Sequence, residues 1–204
     1  MKKIMEKQIK YIEYAKEFEY TPEWYAKIYH QDVIEDMKID PGPGIHEARD
    51  TECILAMKIK DGDSVLIPGC GGGHNISLLQ KMYKGLAITG VDWSETVLHF
   101  SRKVFPNVVF IQSNIDNLSL PNGSFDHVLA FDFTEHLSLA YYVSFLSKSH
   151  AVLHSSGTIG ILPGLTVRPE HINLMYPPTI AQHMEQYGFE ITTIGPQWIV
   201  GKKP

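Results

Sequence analysis

The chain has 204 residues, of which 44% are hydrophobic and 20% charged, and its formal net charge is −5. This length and composition are typical of a globular domain with a full hydrophobic core. The acidic balance argues against a basic surface, so we expect no nucleic-acid partner. The two cysteines, Cys53 and Cys70, indicate a reducing compartment rather than a disulfide framework. The charged N-terminus fits neither a signal peptide nor a membrane span, which predicts a cytoplasmic protein without a membrane partner.

The N-terminal part of the chain is predicted to form a helical segment of its own. Apolar residues recur at helical spacing over residues 3–19, and Thr21 with Pro22 has the pattern of an N-cap followed by proline at the first helical position. Prolines and glycines at residues 41–44 then break the chain. We therefore predict an N-terminal helical lid, residues 1–44, and a larger domain, residues 45–204.

The larger domain is organised around a short apolar strand that ends in a glycine cluster. Residues 65–67 are Val-Leu-Ile, and glycines follow from Gly69 to Gly73, before an amphipathic helical pattern. Glycines permit a sharp turn and the close approach of a ligand, and the helix behind them offers free N–H groups. The next predicted strand leads into Asp92, 23 residues after Gly69. A nucleotide-binding βαβ unit has an acidic residue at about this distance, ~20 residues, where it binds ribose hydroxyls.

Predicted helices and strands alternate along the rest of the chain. A helix over residues 46–57 precedes the first strand, and a helix over residues 75–82 separates it from the second strand at residues 87–91. Such alternation predicts an α/β fold with a doubly wound, Rossmann-like parallel sheet. In a sheet of this kind the ligand lies beyond the carboxyl ends of the strands, at the point where the strand order reverses.

The glycine pattern distinguishes between two kinds of nucleotide site. A dinucleotide site has G-x-G-x-x-G, but His74 occupies the third glycine place here, and the run is G-x-G-x-G at Gly69, Gly71 and Gly73. In this respect the chain resembles the class I S-adenosylmethionine-dependent methyltransferases, a likeness that extends over about residues 60–203. Further segments similar to motifs of that family follow in the family's order at residues 91–94, 110–115, 118–131, 154–160 (a "pGG" turn with one glycine missing) and 187–191.

The resemblance implies S-adenosylmethionine as the cofactor, in a seven-stranded sheet that is mostly parallel with an antiparallel last strand. It implies that Asp92 binds the ribose and that Asn114 meets the adenine amino group, and we predict that Trp93 and Ile115 enclose the adenine ring. The cofactor residues that we predict in this way are Gly69, Cys70, Gly71, Gly73, Asp92, Trp93, Asn114, Ile115 and Phe131.

One position departs from the usual family pattern. Ile67 stands where most members have Asp or Glu, and Pro68 follows it, which resembles the thiopurine and halide methyltransferase branch. Residues 120–126 are more similar to the small-metabolite and quinone methyltransferases, so the branch stays open. The departure weakens one expected contact to the amino-acid end of the cofactor. The contacts that the resemblance implies for the ribose and the adenine are unaffected.

The resemblance implies methyl transfer by in-line displacement, a reaction that depends above all on alignment. We expect a small-molecule acceptor whose oxygen, nitrogen or sulfur receives the methyl group. A general base is needed only for a protonated acceptor, and the candidates after the fourth strand are His136 and Asp132 as the predicted catalytic residues, with Glu135 beside them. In and just after the aromatic-rich lid, the predicted acceptor contacts are Trp24, Tyr25, Tyr29 and His46.

Ten histidines raise the question of a metal site. His150 and His154 stand in H-x-x-x-H spacing but without a matching carboxylate, no H-E-x-x-H run is present, and no cysteine pair has zinc spacing. The sequence therefore predicts no metal site. His74 and His171 count only as further histidines that could extend into the predicted site.

Three other functions stay open at this point. A dinucleotide enzyme is disfavoured by His74, and a cofactor-binding module without methyl transfer is kept open by Ile67. A macromolecular methyltransferase would need a basic groove, which the composition does not provide. The sequence also leaves the oligomeric state open, with a homodimer as one option.

Overall fold

The computed structural model describes residues 47–168 and 171–204. The predicted lid, residues 1–44, and His46 lie outside the described residues, so the lid, Trp24, Tyr25, Tyr29 and His46 remain predictions. In chain order the described elements are α1 (Glu47–Met57), β1 (Ser64–Pro68), α2 (His74–Met82), β2 (Ala87–Asp92), α3 (Glu95–Val104), β3 (Val109–Gln112), β4 (Phe125–Phe131), a 3₁₀ turn (Thr134–His136), α4 (Leu139–Val152), β5 (Leu153–Leu162), α5 (Pro177–Gln186), β6 (Glu190–Ile194) and β7 (Ile199–Lys202).

The seven strands form one sheet in the order β3-β2-β1-β4-β5-β7-β6. Strands β1 to β5 pair in parallel, whereas β7 runs antiparallel to both of its neighbours, β5 and β6. The predicted seven-stranded, mostly parallel sheet with an antiparallel last strand is thus confirmed. From β1 the chain first builds outward through β2 and β3, then crosses to β4 on the other side. The strand order therefore reverses between β1 and β4, which places the expected ligand crevice at their carboxyl ends.

Helices cover both faces of the sheet because alternate strand residues point to opposite sides. On β1, Leu66 belongs to the core shared with α4 and α5, while Val65 and Ile67 belong to the core shared with α1, α2 and α3. Both cores contain fully buried side chains, such as Phe145 and Leu79. Complete burial of one such side chain contributes about 1.5–3 kcal/mol, so packing on both faces fixes the positions of the strand ends. None of the described helices is long and apolar enough to cross a membrane.

Ser156 occupies the place of the glycine that is missing from the expected turn, but it lies within β5, where the pairing with β4 shifts register between Leu153 and Thr158. Its φ angle is 69°, in the left-handed region, which glycine adopts without strain and an L-residue does not. The N–H of Ser156 donates a hydrogen bond of 2.9 Å to the carbonyl oxygen of Lys203, which holds the backbone in this conformation. The backbone at this position thus has a conformation typical of glycine, although the residue is serine.

We predict that Ser156→Gly stabilises the protein by about 0.5–1 kcal/mol. The left-handed conformation costs an L-residue about 1–2 kcal/mol, and the greater freedom of glycine in the unfolded chain offsets about 0.5–1 kcal/mol of the gain. Urea unfolding followed by circular dichroism measures the difference. Ser155→Gly is the matched control, since Ser155 has no positive φ angle and glycine there should destabilise. Equal effects of the two substitutions would show that strain at Ser156 is not the cause.

Candidate functional site

The glycine-rich turn lies at the carboxyl end of β1, beside the crevice. Gly69, Gly71 and Gly73 have φ angles of 64°, 49° and 90°, so all three use the left-handed region. The N–H of Cys70 donates to the carbonyl oxygen of Val91 at 3.0 Å, and the hydroxyl of Ser101 donates to that of Gly71, also at 3.0 Å. These bonds fasten the turn to β2 and α3. Its shape is therefore set by the fold around it.

The three glycines have different reasons to lack a side chain. A Cβ on Gly69 would collide with the ring of Phe133, and one on Gly73 would collide with the ring of Phe105. A Cβ on Gly71 would meet no atom within 4 Å. Gly69 and Gly73 are thus needed for packing, whereas the backbone at Gly71 borders open space. That space is what a ligand needs in order to approach the turn closely.

Asp92, at the end of β2, connects the turn to the start of α3. Its Oδ2 accepts the N–H of Gly71 at 3.1 Å and its Oδ1 accepts the N–H of Ser94 at 2.9 Å. The residue is only 4% exposed, and burial raises the pKa of its carboxyl although these N–H groups partly oppose the shift. Each carboxylate oxygen has a further lone pair. The group can therefore hold the turn and still accept the hydroxyl hydrogens of a ribose.

The predicted adenine residues lie at the adjacent strand ends. Asp92 on β2 pairs with Gln112 on β3, so Trp93 and Asn114 follow neighbouring strands at the same edge of the sheet. The side-chain amide of Gln112 donates to the carbonyl oxygen of Trp93 at 3.2 Å. Oδ1 of Asn114 accepts the N–H of Asn117 at 2.8 Å, which fixes its orientation and leaves a second lone pair for an amino group. The adenine contacts remain predictions.

Three other predicted cofactor residues are buried. Ile115 is 8% exposed and lines a cavity of about 220 Å³ between β1 and α4 whose lining includes none of the glycine turn. Phe131 is 4% exposed and packs in the core on the α1 side of the sheet. Cys70 is 5% exposed, and burial raises the pKa of its thiol, so its side chain packs and its backbone belongs to the turn. Both cysteines are free thiols, as the sequence predicted.

An ion-pair network joins α1 to the crevice, and no pattern in the sequence predicts it. Nη2 of Arg49 lies 2.7 Å from Oδ2 of Asp132, and its Nε lies 3.1 Å from Oδ1 of Asp50. Oδ2 of Asp50 in turn lies 3.5 Å from Nε2 of His74, the first residue of α2. Asp50 is 2% exposed. Asp50 therefore places a buried carboxylate next to His74, at the end of the glycine turn. Ile67, which precedes the turn, provides no carboxylate.

Asp132, one of the two predicted catalytic residues, follows β4 directly. Its φ angle is 46°, a conformation that aspartate tolerates better than most residues and that is often found at functional sites. Its side chain is 47% exposed, and its Oδ2 is engaged by Arg49. Asp132 therefore serves at least to position Arg49 at the mouth of the crevice.

Glu135, His136 and His171 form a cluster beyond the ends of β4 and β5, which we call the Glu135 cluster. Ligand atoms of the three side chains lie within 4.8 Å of one another. The rings of His136 and His171 meet edge to face, with their centroids 4.8 Å apart. Burial, and then the charge of Asp132, raises the pKa of the Glu135 carboxyl to about 7. The prediction of no metal site relied on local spacing, and this cluster is assembled from two separate segments.

The chain is similar to known methyltransferases in sequence and in fold. A family model described as a methyltransferase domain matches residues 65–157, the segment that contains the glycine turn, Asp92 and the residues after β4. This match and the relatives below support a class I S-adenosylmethionine-dependent methyltransferase. The sequence-based recognition is thus confirmed, and S-adenosylmethionine is the cofactor of this family. The open backbone at Gly71 and the buried carboxylate of Asp92 fit that cofactor.

Curated relatives from this family match only part of their own length. A protein of Mycolicibacterium smegmatis named "Probable S-adenosylmethionine-dependent methyltransferase" is 28% identical over 64% of this chain and 53% of its own. A fatty-acid O-methyltransferase of the same organism is 30% identical over 48% of this chain and 35% of its own. The chain thus spans about half or less of the length of these two relatives. A S-adenosylmethionine-dependent methyltransferase structure from Archaeoglobus fulgidus shares the fold, with a TM-score of 0.66 at 22% identity over 85% of this chain and all of its own.

We predict that Gly71→Ala weakens S-adenosylmethionine binding by about tenfold or more. The new methyl group would enter the open space beside the turn, where the cofactor approaches the backbone, and a tenfold loss corresponds to about 1.4 kcal/mol. Isothermal titration calorimetry measures the affinity. Gly85→Ala is the matched control, because Gly85 also has a positive φ angle of 68° and open space around a Cβ, but in a turn before β2. Both substitutions should cost similar stability, and equal loss of affinity would contradict the assignment.

We predict that Asp92→Ala weakens cofactor binding by about 1.5–3 kcal/mol, the range for hydrogen bonds to a charged group. The same substitution should lower stability, since the N–H groups of Gly71 and Ser94 lose their acceptor. Calorimetry and urea unfolding measure the two effects. Asp126→Ala is the control: its carboxylate accepts the N–H and hydroxyl of Ser64 at the opposite edge of the sheet, so only stability should fall. Unchanged affinity in Asp92→Ala would rule out the ribose role.

Proposed function

We propose that the chain transfers the methyl group of S-adenosylmethionine to a nucleophilic oxygen, nitrogen or sulfur atom of a small molecule by in-line displacement. The observation that carries the proposal is the pairing of Gly71 with Asp92. An open backbone and a buried carboxylate stand together at the carboxyl edge of the sheet, next to the strand-order reversal. When bound, S-adenosylmethionine supplies an electrophilic methyl group on its sulfonium.

The residues on the two sides of the crevice have different tasks in this proposal. The glycine turn and Asp92 hold and orient the cofactor from β1 and β2. Residues beyond β4 and β5, on the other side of the reversal, face the acceptor. Most of the rate comes from holding the acceptor atom in line, since an aligned pair reacts far faster than a freely diffusing one. Closure that excludes water is assigned to the lid, residues 1–44, and acceptor contacts to Trp24, Tyr25, Tyr29 and His46.

His136 is assigned the role of proton acceptor for acceptors that carry a proton. It lies in the 3₁₀ turn after β4, its side chain is 13% exposed, and its Nε2 lies 3.9 Å from Oε1 of Glu135. An imidazole in this position can accept a proton at neutral pH. Asp132 is the weaker candidate of the two predicted catalytic residues, because Arg49 already engages its carboxylate.

A small-molecule acceptor is favoured by charge and by similarity. The net charge of −5 gives no general attraction for nucleic acid. One relative is named a fatty-acid O-methyltransferase, which makes a carboxylate or hydroxyl oxygen the first acceptor group to test.

The proposal is tested by incubating the full-length protein with S-adenosylmethionine and a panel of small carboxylic acids, phenols, amines and thiols. The expected result is release of S-adenosylhomocysteine with at least one chemical class. Tight cofactor binding without turnover on any class would favour a cofactor-binding module instead. Tighter binding of a nicotinamide dinucleotide than of S-adenosylmethionine would favour a dinucleotide enzyme.

We predict that His136→Asn lowers kcat by about 100-fold or more with the best acceptor of that panel, the usual loss when a general base is removed. The affinity for S-adenosylmethionine should stay unchanged, because His136 lies beyond β4 and not at the glycine turn. His154→Asn, on an exposed histidine at the start of β5, is the control and should keep full kcat. Full kcat in His136→Asn as well would remove His136 from the catalytic residues.

A further inference from the structure

Glu135 is a buried carboxyl group that accepts no hydrogen bond from the described residues. The residue is 0% exposed, and neither of its carboxylate oxygens forms a hydrogen bond there. The N–H groups of Glu135 and Gly164 lie near enough to favour the charged form, but not in hydrogen-bonding geometry. Burying an ionised carboxylate without a partner costs several kcal/mol, so native proteins rarely retain one unless it binds an ion or performs chemistry.

The backbone around Glu135 is built to bring His171 against it. The N–H of Asn173 donates to the carbonyl oxygen of Glu135 at 3.0 Å, which ties the segment after β5 to the 3₁₀ turn. Gly164 lies between the two side chains: a Cβ there would collide with Oε1 of Glu135 and lie 3.2 Å from Cε1 of His171. The absence of a side chain at residue 164 therefore permits the contact.

The ring of His171 is oriented as metal-binding histidines are. Its Nδ1 lies 2.6 Å from the carbonyl oxygen of Thr166, which can only accept, so Nδ1 carries the hydrogen and Nε2 carries the lone pair. A backbone carbonyl on the other ring nitrogen is the usual support of a metal-binding imidazole. The residue is 7% exposed, so this orientation is held by packing.

We propose that Glu135, His136 and His171 bind a divalent first-row transition-metal cation, such as Zn²⁺, Mn²⁺ or Fe²⁺. Two imidazoles and one carboxylate form a mixed nitrogen and oxygen set that suits these ions, whereas Mg²⁺ and Ca²⁺ prefer oxygen alone. The ligand atoms lie within 4.8 Å of one another, close enough for one ion to contact all three after small side-chain adjustments. A positive ion would also give the buried carboxylate the counter-charge that it lacks.

The cation would stand beyond β4 and β5, at the same edge of the sheet as the glycine turn. Three protein ligands leave coordination positions open, as in catalytic rather than structural sites. If the proposed methyl transfer is correct, an oxygen or nitrogen of the acceptor can occupy one of these positions and be held there. With the cation bound, the imidazole of His136 would be a ligand of the ion, and the role of proton acceptor proposed above would apply to the metal-free protein.

The test is calorimetric titration of the full-length, tag-free protein with Zn²⁺ after removal of bound metal by a chelator. One Zn²⁺ should bind per chain, and Mg²⁺ should give no comparable binding. Glu135→Gln and His171→Asn should each weaken Zn²⁺ binding by more than about 100-fold, beyond the 10–100-fold typical of losing an outer partner. Circular dichroism of the metal-free variants checks that each is folded, and the visible spectrum of bound Co²⁺ gives a second readout of the ligands.

Glu190→Gln and His154→Asn are the matched controls, since they make the same chemical changes at exposed positions on β6 and β5 and should leave Zn²⁺ affinity unchanged. No saturable Zn²⁺ binding in the unmodified protein would overturn the proposal. Binding that is equal in the cluster variants and the controls would also overturn it, as an adventitious ion only. The titration contains neither cofactor nor acceptor, so methyl transfer without Zn²⁺ binding would contradict this inference alone.

Discussion

The site depends on one buried carboxylate. Asp92 accepts an N–H from the glycine turn after β1 and another from the start of α3, so a single side chain holds two loops at the crevice. It is buried, and its pKa is raised for that reason, yet the N–H groups directed at it offset part of the cost. A group held so firmly is already oriented for a ligand. In the proposed site, the shape of the turn and the recognition of the ribose would therefore depend on the same atoms.

Carboxyl groups are crowded together in the part of the crevice beyond β4 and β5. Asp50, Asp132 and Glu135 bring three carboxyl groups to the region where α1 meets the ends of β4 and β5, and Arg49 pairs with two of them. Glu135 is left with a raised pKa and without a hydrogen-bond partner in the described part of the chain. Natural proteins tolerate such unpaired charge mainly at functional sites. The contrast between the satisfied Asp92 and the unsatisfied Glu135 matches a division between a cofactor side and a reactive side.

Positive φ angles also differ between the glycine turn and the residues beyond β4. Gly69, Gly71 and Gly73 adopt left-handed angles for which they are suited, whereas Asp132 and Ser156 adopt them as non-glycine residues. Ser156 lies within β5, where the strain has no evident use. Asp132 lies at the crevice, where its angle turns the chain from β4 toward the 3₁₀ turn that carries Glu135 and His136. Of these two residues only Asp132 lies at the candidate site, and strained backbone conformations cluster at functional sites.

The sequence by itself determined the fold and the likeness to methyltransferases, and it predicted the cofactor half of the site. Glycine spacing, the acidic residue at the end of β2 and the alternation of elements are local patterns, and each reflects a backbone requirement that neighbouring residues must satisfy.

Tertiary structure decided the positions of Arg49 and Asp50 and the contact between Glu135 and His171. Arg49 and Asp132 are 83 positions apart, and no periodicity relates them. Glu135 and His171 meet because parallel strands β4 and β5 end at one edge, and because Gly164 leaves room between their side chains. Rules of local spacing detect metal-binding residues on one helix or loop. The three residues of the proposed metal site come from segments that follow two different strands.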